Sequence, residues 1–310
     1  MTSASALSHL RAESASATIL EFLHTPRSGR VIATFARSCY LAFDGRIVAV
    51  VSAELHNGPL NFIVRPTPPF GHLAIGAQVS SDAHRVQVAD AWEIAFDGAI
   101  AWDPALTRID RAANDTLLDQ LRALTDLIAA EAPAGGLARV SVGRAGRILT
   151  PLERSASPGL ADLSSGLRQA DRSQVARGAR TLAGLGPGLT PSGDDVLVGC
   201  LLALTALPDV DGASAREAIA RSARHRTTQI STAYLDAAAR GEASEGWHRL
   251  VAAMSTSDAV RVVGAAREVL AVGETSGSDM LGGFVLASRA LVGAPDATAF
   301  VDPAGVLRAR

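Results

Sequence analysis

The sequence predicts an α+β protein in which a small antiparallel β-sheet or barrel is followed by a larger, mainly helical domain. Three observations carry that expectation. Up to about Trp102 the chain is built of short β-branched or aromatic runs separated by turn dipeptides. After Asp103-Pro104 the apolar residues switch to three- and four-residue spacing, and helical patterns then dominate to about Leu291.

In the first half, Arg30–Tyr40 and Arg46–Ser52 flank the turn dipeptide Asp44-Gly45. Two further runs, Leu60–Val64 and Val86–Phe96, are set off by Asn57-Gly58-Pro59, by the proline-rich Pro66–Pro69 and by Asp97-Gly98. In the second half, Leu117, Leu118, Leu121, Leu124, Leu127 and Ile128 mark an amphipathic helix, and Leu137–Leu149 reads as a hairpin around Gly143–Gly146. The expected organisation is a flexible arm over 1–17, a β-rich domain over 18–105, a mainly α domain over 106–292 and a tail over 293–310.

With 310 residues, 48% of them hydrophobic, the chain has ample material for a packed core. Its 29 basic and 31 acidic residues nearly cancel and the arginines are scattered, so no nucleic-acid partner is expected. Cys39 and Cys200 read as buried thiols, since two distant cysteines make neither a disulfide framework nor a metal site. The first residues lack an apolar signal core, and Val196–Leu207 is well short of the roughly 20 residues that span a bilayer. The expectation is a cytoplasmic protein with no membrane segment.

The densest chemistry lies in Gly184–Asp195, where four glycines, two prolines, two hydroxyls and two carboxylates fall within twelve residues ahead of an apolar helix. Glycines admit positive φ and close approach of a ligand, and prolines stiffen the path. At a helix start, backbone N–H groups and the dipole suit an anion such as phosphate. The lysine of a Walker loop is absent, so a generic nucleotide site is not indicated. The bland alternative is a capping box, Ser192-x-x-Asp195.

An internal repeat strengthens the functional reading: Ser192–Gly199 realigns with Ser276–Gly283, and Leu202-Ala203 with Leu286-Ala287. The pattern suggests two helix starts in a pseudo-symmetric pair, with Gly199 and Gly283 permitting close approach. Asp195 and Asp279 would then lie in first turns. Asp194 is the odd one out, free to bind an amide donor, act as a base or help hold Mg²⁺ beside a phosphate. No metal ligand set is assigned, and Mg²⁺ is the one cofactor considered. Arg224–Ser231 concentrates cationic and hydroxyl groups, with Arg226 and Thr227 as anion-binding candidates and Thr228 as a helix cap. In the β half, Asn57 sits in a polar turn able to meet a small amide-bearing ligand.

These segments resemble the AllH family: Gly184–Asp195 with its helix, Gly241–Glu245, Thr275–Met280 and, more weakly, Asn57-Gly58-Pro59. The resemblance covers most of the chain and marks Gly186, Gly188, Thr190, Ser192, Gly193, Asp194, Asp195, Thr275, Ser276, Gly277 and Asp279 as shared positions. It implies a subunit of an oxamate carbamoyltransferase, acting with two partner subunits in purine (allantoin) catabolism. There oxalurate and phosphate give oxamate and carbamoyl phosphate, which a carbamate kinase can use. Asp194, Asp195 and Asp279 are the expected catalytic residues. Phosphate and a ureido acid would be held by Gly186, Gly188, Thr190, Ser192, Gly193, Thr275, Ser276, Gly277, Arg226, Thr227 and Asn57. Two other readings stay open: a non-catalytic scaffold or small-molecule sensor, and a stand-alone Mg²⁺-dependent amide or carbamoyl hydrolase.

Overall fold

The computed structural model describes residues 7–110, 116–146, 148–207 and 212–294. The chain forms two compact units, one of Met1–Ala105 with Ala243–Glu245 and one of Leu106–Glu242 with Gly246–Arg310.

The first unit contains β1 (Ser8–Ser16), α1 (Ala17–Leu23), β2 (Arg27–Thr34), β3 (Ser38–Phe43), β4 (Arg46–Val51), β5 (Asn61–Arg65), β6 (Gln78–Ser81), β7 (Arg85–Val88), β8 (Trp92–Ala95) and β9 (Ile100–Trp102). The strands run in the order β5-β4-β3-β2-β6-β7-β8-β1, and β1 pairs back onto β5, closing an eight-stranded barrel to which β9 adds beside β1. Closure removes the unpaired edges of an open sheet. Alternate residues fill the interior: Leu41 and Phe43, Val48 and Val50, Phe62 and Val64, Val86 and Val88. Burying each such side chain stabilises the fold by roughly 1.5–3 kcal/mol. The Asp44-Gly45 dipeptide makes the β3–β4 turn with both residues at positive φ (43° and 81°), matching the twist of the hairpin it joins.

Several expectations are corrected here. The pairing is not purely antiparallel: β4–β5, β1–β8 and β1–β9 are parallel. The supposed arm contains β1, which runs antiparallel to β5 with Arg11 opposite Arg65 and Ala15 opposite Phe62. Its sequence is mostly small and polar, so its backbone pairing rather than apolar alternation makes it a strand. Arg30–Tyr40 splits into β2 and β3, and Val86–Phe96 into β7 and β8. The first six residues and most of the expected tail, 295–310, lie outside the described residues.

The second unit contains α2 (Leu117–Glu131), α3 (Ala138–Ser141), α4 (Pro151–Arg168), α5 (Arg172–Leu182), α6 (Ser192–Ala206), α7 (Gly212–Ala223), α8 (Gln229–Ala239), all but the first residue of α9 (Glu245–Met254), α10 (Ala259–Leu270) and α11 (Ser276–Leu291). The expected hairpin over Leu137–Leu149 is instead the short helix α3 followed by a turn, because side-chain bonds described below hold its first amides. Among the described residues, no helix is long and apolar enough to cross a membrane. Cys39 and Cys200 are buried free thiols, each pushed up to about 12 by burial.

Every residue of α6 except Thr205 is buried, which makes it the central helix of its unit. It crosses α11 at a glycine contact. A Cβ at Gly199 would lie 1.8 Å from the Met280 carbonyl oxygen, and one at Gly283 would lie 2.0 Å from that of Val196. No side chain fits there without separating the helices. Gly199→Ala and Gly283→Ala should each lower the unfolding free energy by at least about 1–3 kcal/mol in urea titration. Gly264→Ala on α10, where a Cβ meets nothing within 4 Å, should raise it by roughly 0.5–1 kcal/mol.

Candidate functional site

The internal repeat is a duplicated helix-loop-helix, longer than the sequence match. Asp171 caps α5 by accepting from the amides of Ser173 and Gln174, and Asp258 caps α10 by accepting from those of Val260 and Arg261. Val175, Ala179 and Leu182 on α5 are buried as Val262, Ala266 and Val269 are on α10. Each first helix then packs against the start of the second: a Cβ at Gly193 would lie 2.1 Å from the Leu182 carbonyl oxygen, and one at Gly277 would lie 1.9 Å from that of Val269. Gly186 and Gly273 take positive φ at matching places in the two loops. The first loop carries extra residues, and its tip, Pro187-Gly188-Leu189, is exposed.

The α6–α11 contact is reciprocal in the same way. Ser276, the first residue of α11, stands beside the Asp195 carboxylate, and Ser192, the first residue of α6, stands beside that of Asp279. Thr190 and Ser276 bring their hydroxyls to 3.0 Å, linking the two loops. The capping-box reading is therefore corrected. Pro191 occupies the cap position, Ser192 lies inside the helix, and no side chain caps α6.

The helix starts are also less available to an anion than expected. The Gly193 amide donates to the Leu185 carbonyl, and the Gly277 amide to that of Val272. The amides of Asp194 and Asp195 both turn to the Pro191 carbonyl.

The three expected catalytic carboxylates are all covered by protein, with Asp194 1%, Asp195 5% and Asp279 0% exposed. Asp279 Oδ1 accepts from the amides of Leu137 (2.6 Å) and Ala138 (2.8 Å), which anchors the start of α3. Gly136 precedes them because a Cβ there would meet Asp279 Oδ1 at 2.5 Å. Asp194 accepts from the Gly184 amide at 2.8 Å and from the Thr227 hydroxyl. Asp195 Oδ2 and Asp279 Oδ2 are buried without a hydrogen-bond partner.

Burial therefore dominates the electrostatics. It raises Asp194 above the usual carboxylate range, against the Thr227 hydroxyl and the Gly184 amide. Asp195 is raised well above that range by burial, and its Asp279 and Asp194 neighbours add to the shift while Ser276 opposes it. Asp279 is pushed up to about 6 by burial, against Ser192, the two amides and Thr275.

The 224–228 segment comes against the Gly-rich loop. A Cβ at Gly184 would lie 2.3 Å from the Arg226 carbonyl oxygen, Thr227 bonds Asp194, and the Thr228 hydroxyl donates to the Leu189 carbonyl at 2.6 Å. Thr228 also caps α8 by accepting from the Ser231 amide. Arg226 is exposed. Gly186, Gly188, Thr190, Ser192, Gly193, Arg226, Thr227, Thr275, Ser276 and Gly277 thus belong to one neighbourhood of the helical unit. Asn57 belongs to the barrel unit, where its Oδ1 accepts from the Ser14 hydroxyl (2.7 Å) and its Nδ2 donates to Glu245 (3.1 Å). Among the described residues, no group of three or more His, Cys, Asp or Glu is placed to hold a metal ion.

Sequence reasoning missed the Leu137 and Ala138 amides, Ser14, and Glu245 as the partner of Asn57. Only the glycine at 136 hints at the first of these.

A carboxyl whose pKa is raised on folding contributes stability that is complete below its unfolded value, about 3.9, and is lost as pH rises through the folded value. The Asp279 contribution should therefore fall away between about pH 4 and the folded value of about 6. Asp279→Asn keeps an oxygen for the Leu137 and Ala138 amides. In chemical denaturation from pH 4 to pH 7 it should flatten this fall, leaving the variant as stable as the wild type or more so at pH 7. A steeper loss at pH 7 in the variant would contradict the assignment.

A family model described as oxamate carbamoyltransferase subunit AllH matches residues 182–288, which span both loop-helix units, and one described as the AllH family N-terminal domain matches residues 8–101, the barrel. No solved structure matches the chain. The duplicated loops and the barrel are thus the two parts by which relatives of this chain are recognised, and the chain belongs to the AllH family.

Proposed function

We propose that this chain is a component of a carbamoyltransferase which, with two partner subunits, converts oxalurate and phosphate to oxamate and carbamoyl phosphate. Family membership is the observation that carries this reading. In the reaction a phosphate oxygen attacks the ureido carbonyl, the C–N bond to the oxamoyl nitrogen breaks, and that nitrogen takes a proton as oxamate leaves. Such a site needs groups for two anions and donors for the oxyanion that develops at the carbonyl.

The rim of the α6–α11 crossing offers such groups: the exposed loop around Gly188, the Thr190–Ser276 hydroxyl pair and the Arg226 guanidinium. Gly186 and Gly188 take positive φ, which turns their amides along the loop. Thr275 closes the same rim, and Gly193, Gly277 and Ser192 hold the helices close behind it. Asp194, Asp195 and Asp279 act here as positioning residues, since each is covered. Asp194 fixes the loop through Gly184 and Thr227, and Asp279 fixes the start of α3.

The burial of all three carboxylates favours a second reading, in which the chain binds a ureido acid or a partner subunit and the chemistry resides elsewhere in the complex. A stand-alone Mg²⁺-dependent hydrolase has less support, because the three candidate carboxylates are covered by protein.

Carbamoyl phosphate formation from oxalurate and phosphate should be measured with the chain alone, with its two partner subunits, and with Arg226→Ala and Asp194→Asn forms in the complete mixture. Turnover is expected only in the complete mixture. Arg226→Ala should lower it by about a hundredfold without moving the melting temperature. Asp194→Asn should lower it while weakening the loop. Equal turnover by the partners alone would assign this chain the binding role, and no turnover in any mixture would remove oxalurate as the substrate.

A further inference from the structure

The barrel unit carries a cleft of about 470 Å³ whose lining includes the polar residues Glu13, Ser14, His56, Asn57 and Glu245 and the apolar Ile100 and Trp102. Small-molecule sites are typically of this size, with an apolar wall and a few oriented polar groups. Two departures from regular backbone meet there. β1 bulges against β5 between Ala12 and Ser14, which leaves Glu13 without a register partner and re-aims it. His56 takes φ 57°, a left-handed conformation that glycine would adopt without cost. Packing of the barrel core requires neither, since Glu13 and His56 are both exposed.

Three of the polar groups orient one another. Glu245 Oε2 accepts from the backbone amide of Asn57 (3.2 Å) and from its Nδ2 (3.1 Å), while Ser14 donates its hydroxyl to Asn57 Oδ1 (2.7 Å). A carboxylate only accepts, so Glu245 fixes which end of the Asn57 amide is the nitrogen. The Ser14 proton is then committed, and its oxygen offers lone pairs only. Asn57 keeps one N–H. The lining carries the acceptors Glu245, the Ser14 oxygen and Glu13, the last ion-paired with Arg65, against the remaining Asn57 N–H, the His56 ring and the Trp102 indole. Neither Lys nor Arg lines it.

We infer that this cleft binds the N–H face of a small planar amide-type group: a ureide, a carboxamide or an amidinium. The N–H groups of the ligand meet the carboxylates and the Ser14 oxygen. Its flat face lies against the Ile100 and Trp102 wall, and a carbonyl, where present, accepts from Asn57. Carboxylate ligands are disfavoured by Glu245, whereas the Glu13 charge is already paired with Arg65. The inference stands apart from the carbamoyltransferase reading, which rests on the α6–α11 loops, and is tested without turnover.

The test follows the Trp102 indole N–H resonance of the full chain, assigned by its loss in Trp102→Phe, during titration with methylurea, acetamide, methylguanidinium or acetate at millimolar concentration. A saturable shift with at least one N–H donor and none with acetate is expected. Methylguanidinium alone would identify an amidinium site, and methylurea or acetamide a neutral amide site. Asn57→Leu should weaken binding about tenfold or more. Ile100→Trp should do the same by filling the rim, and since Ile100 is 71% exposed this substitution leaves the fold intact. The inference is overturned by absence of any saturable shift, by acetate binding as well as the N–H donors, or by shifts that Ile100→Trp leaves unchanged.

Discussion

The crossing of α6 and α11 without side chains between them is the constraint on which the helical unit depends. Backbone contact at Gly199 and Gly283 brings two helix starts together, and with them the loops that lead into each. Ser276 can then stand beside Asp195, Ser192 beside Asp279, and Thr190 against Ser276. From Asp279 the consequence passes to α3 through two amides, and from Asp194 to the 224–228 segment through Gly184 and Thr227. Small residues at one crossing thus determine where hydroxyls, carboxylates and an arginine gather.

Bringing helix starts together in a dry core sets two electrostatic effects against one another. The dipoles and the nearby serines favour ionised carboxylates, whereas burial and mutual repulsion disfavour them. Burial wins at Asp194, Asp195 and Asp279 alike, since all three are raised. One oxygen of Asp195 and one of Asp279 remain without a partner, so the crossing is not built for maximal stability. What the carboxylates provide is position. Asp279 ties residues far apart in sequence, and an apolar side chain of similar size would leave the Leu137 and Ala138 amides unsatisfied.

Much of this was legible in the residues. Asp44-Gly45, the β-branched and aromatic runs on either side of it, and the leucine spacing from 117 to 128 are local signals, and they mark the barrel and α2. The Ser-Gly-x-Asp repeat and its glycines announced the helix pair, because close approach needs small residues at fixed places. Strand β1 was hidden: its residues are mostly small and polar, and the partners that make it a strand, β5 and β8, come much later in the chain. Helix α3 was hidden for the same reason, since its first amides are held by Asp279, 142 and 141 residues away. The candidate carboxylates were found by type and spacing. Their burial was not, because it depends on the angle at which two helices meet.

The duplication separates what packing requires from what it does not. Features present in both copies, namely the aspartate caps, the glycine contacts with Leu182 and Val269 and the reciprocal serine–aspartate pairs, follow from building one helix-loop-helix twice and crossing the copies. The departures have no such explanation. Where the first copy has Asp194, the second has Ser278, whose hydroxyl returns to the Thr275 carbonyl within its own turn. At this position only the first copy reaches another segment, Thr227, and only the first carries the extra residues Pro187-Gly188-Leu189. Selection for stability alone gives no reason to lengthen one loop and fasten the 224–228 segment beside it. On that asymmetry we propose that the first loop carries the function of the helical unit, with the second as its packing counterpart.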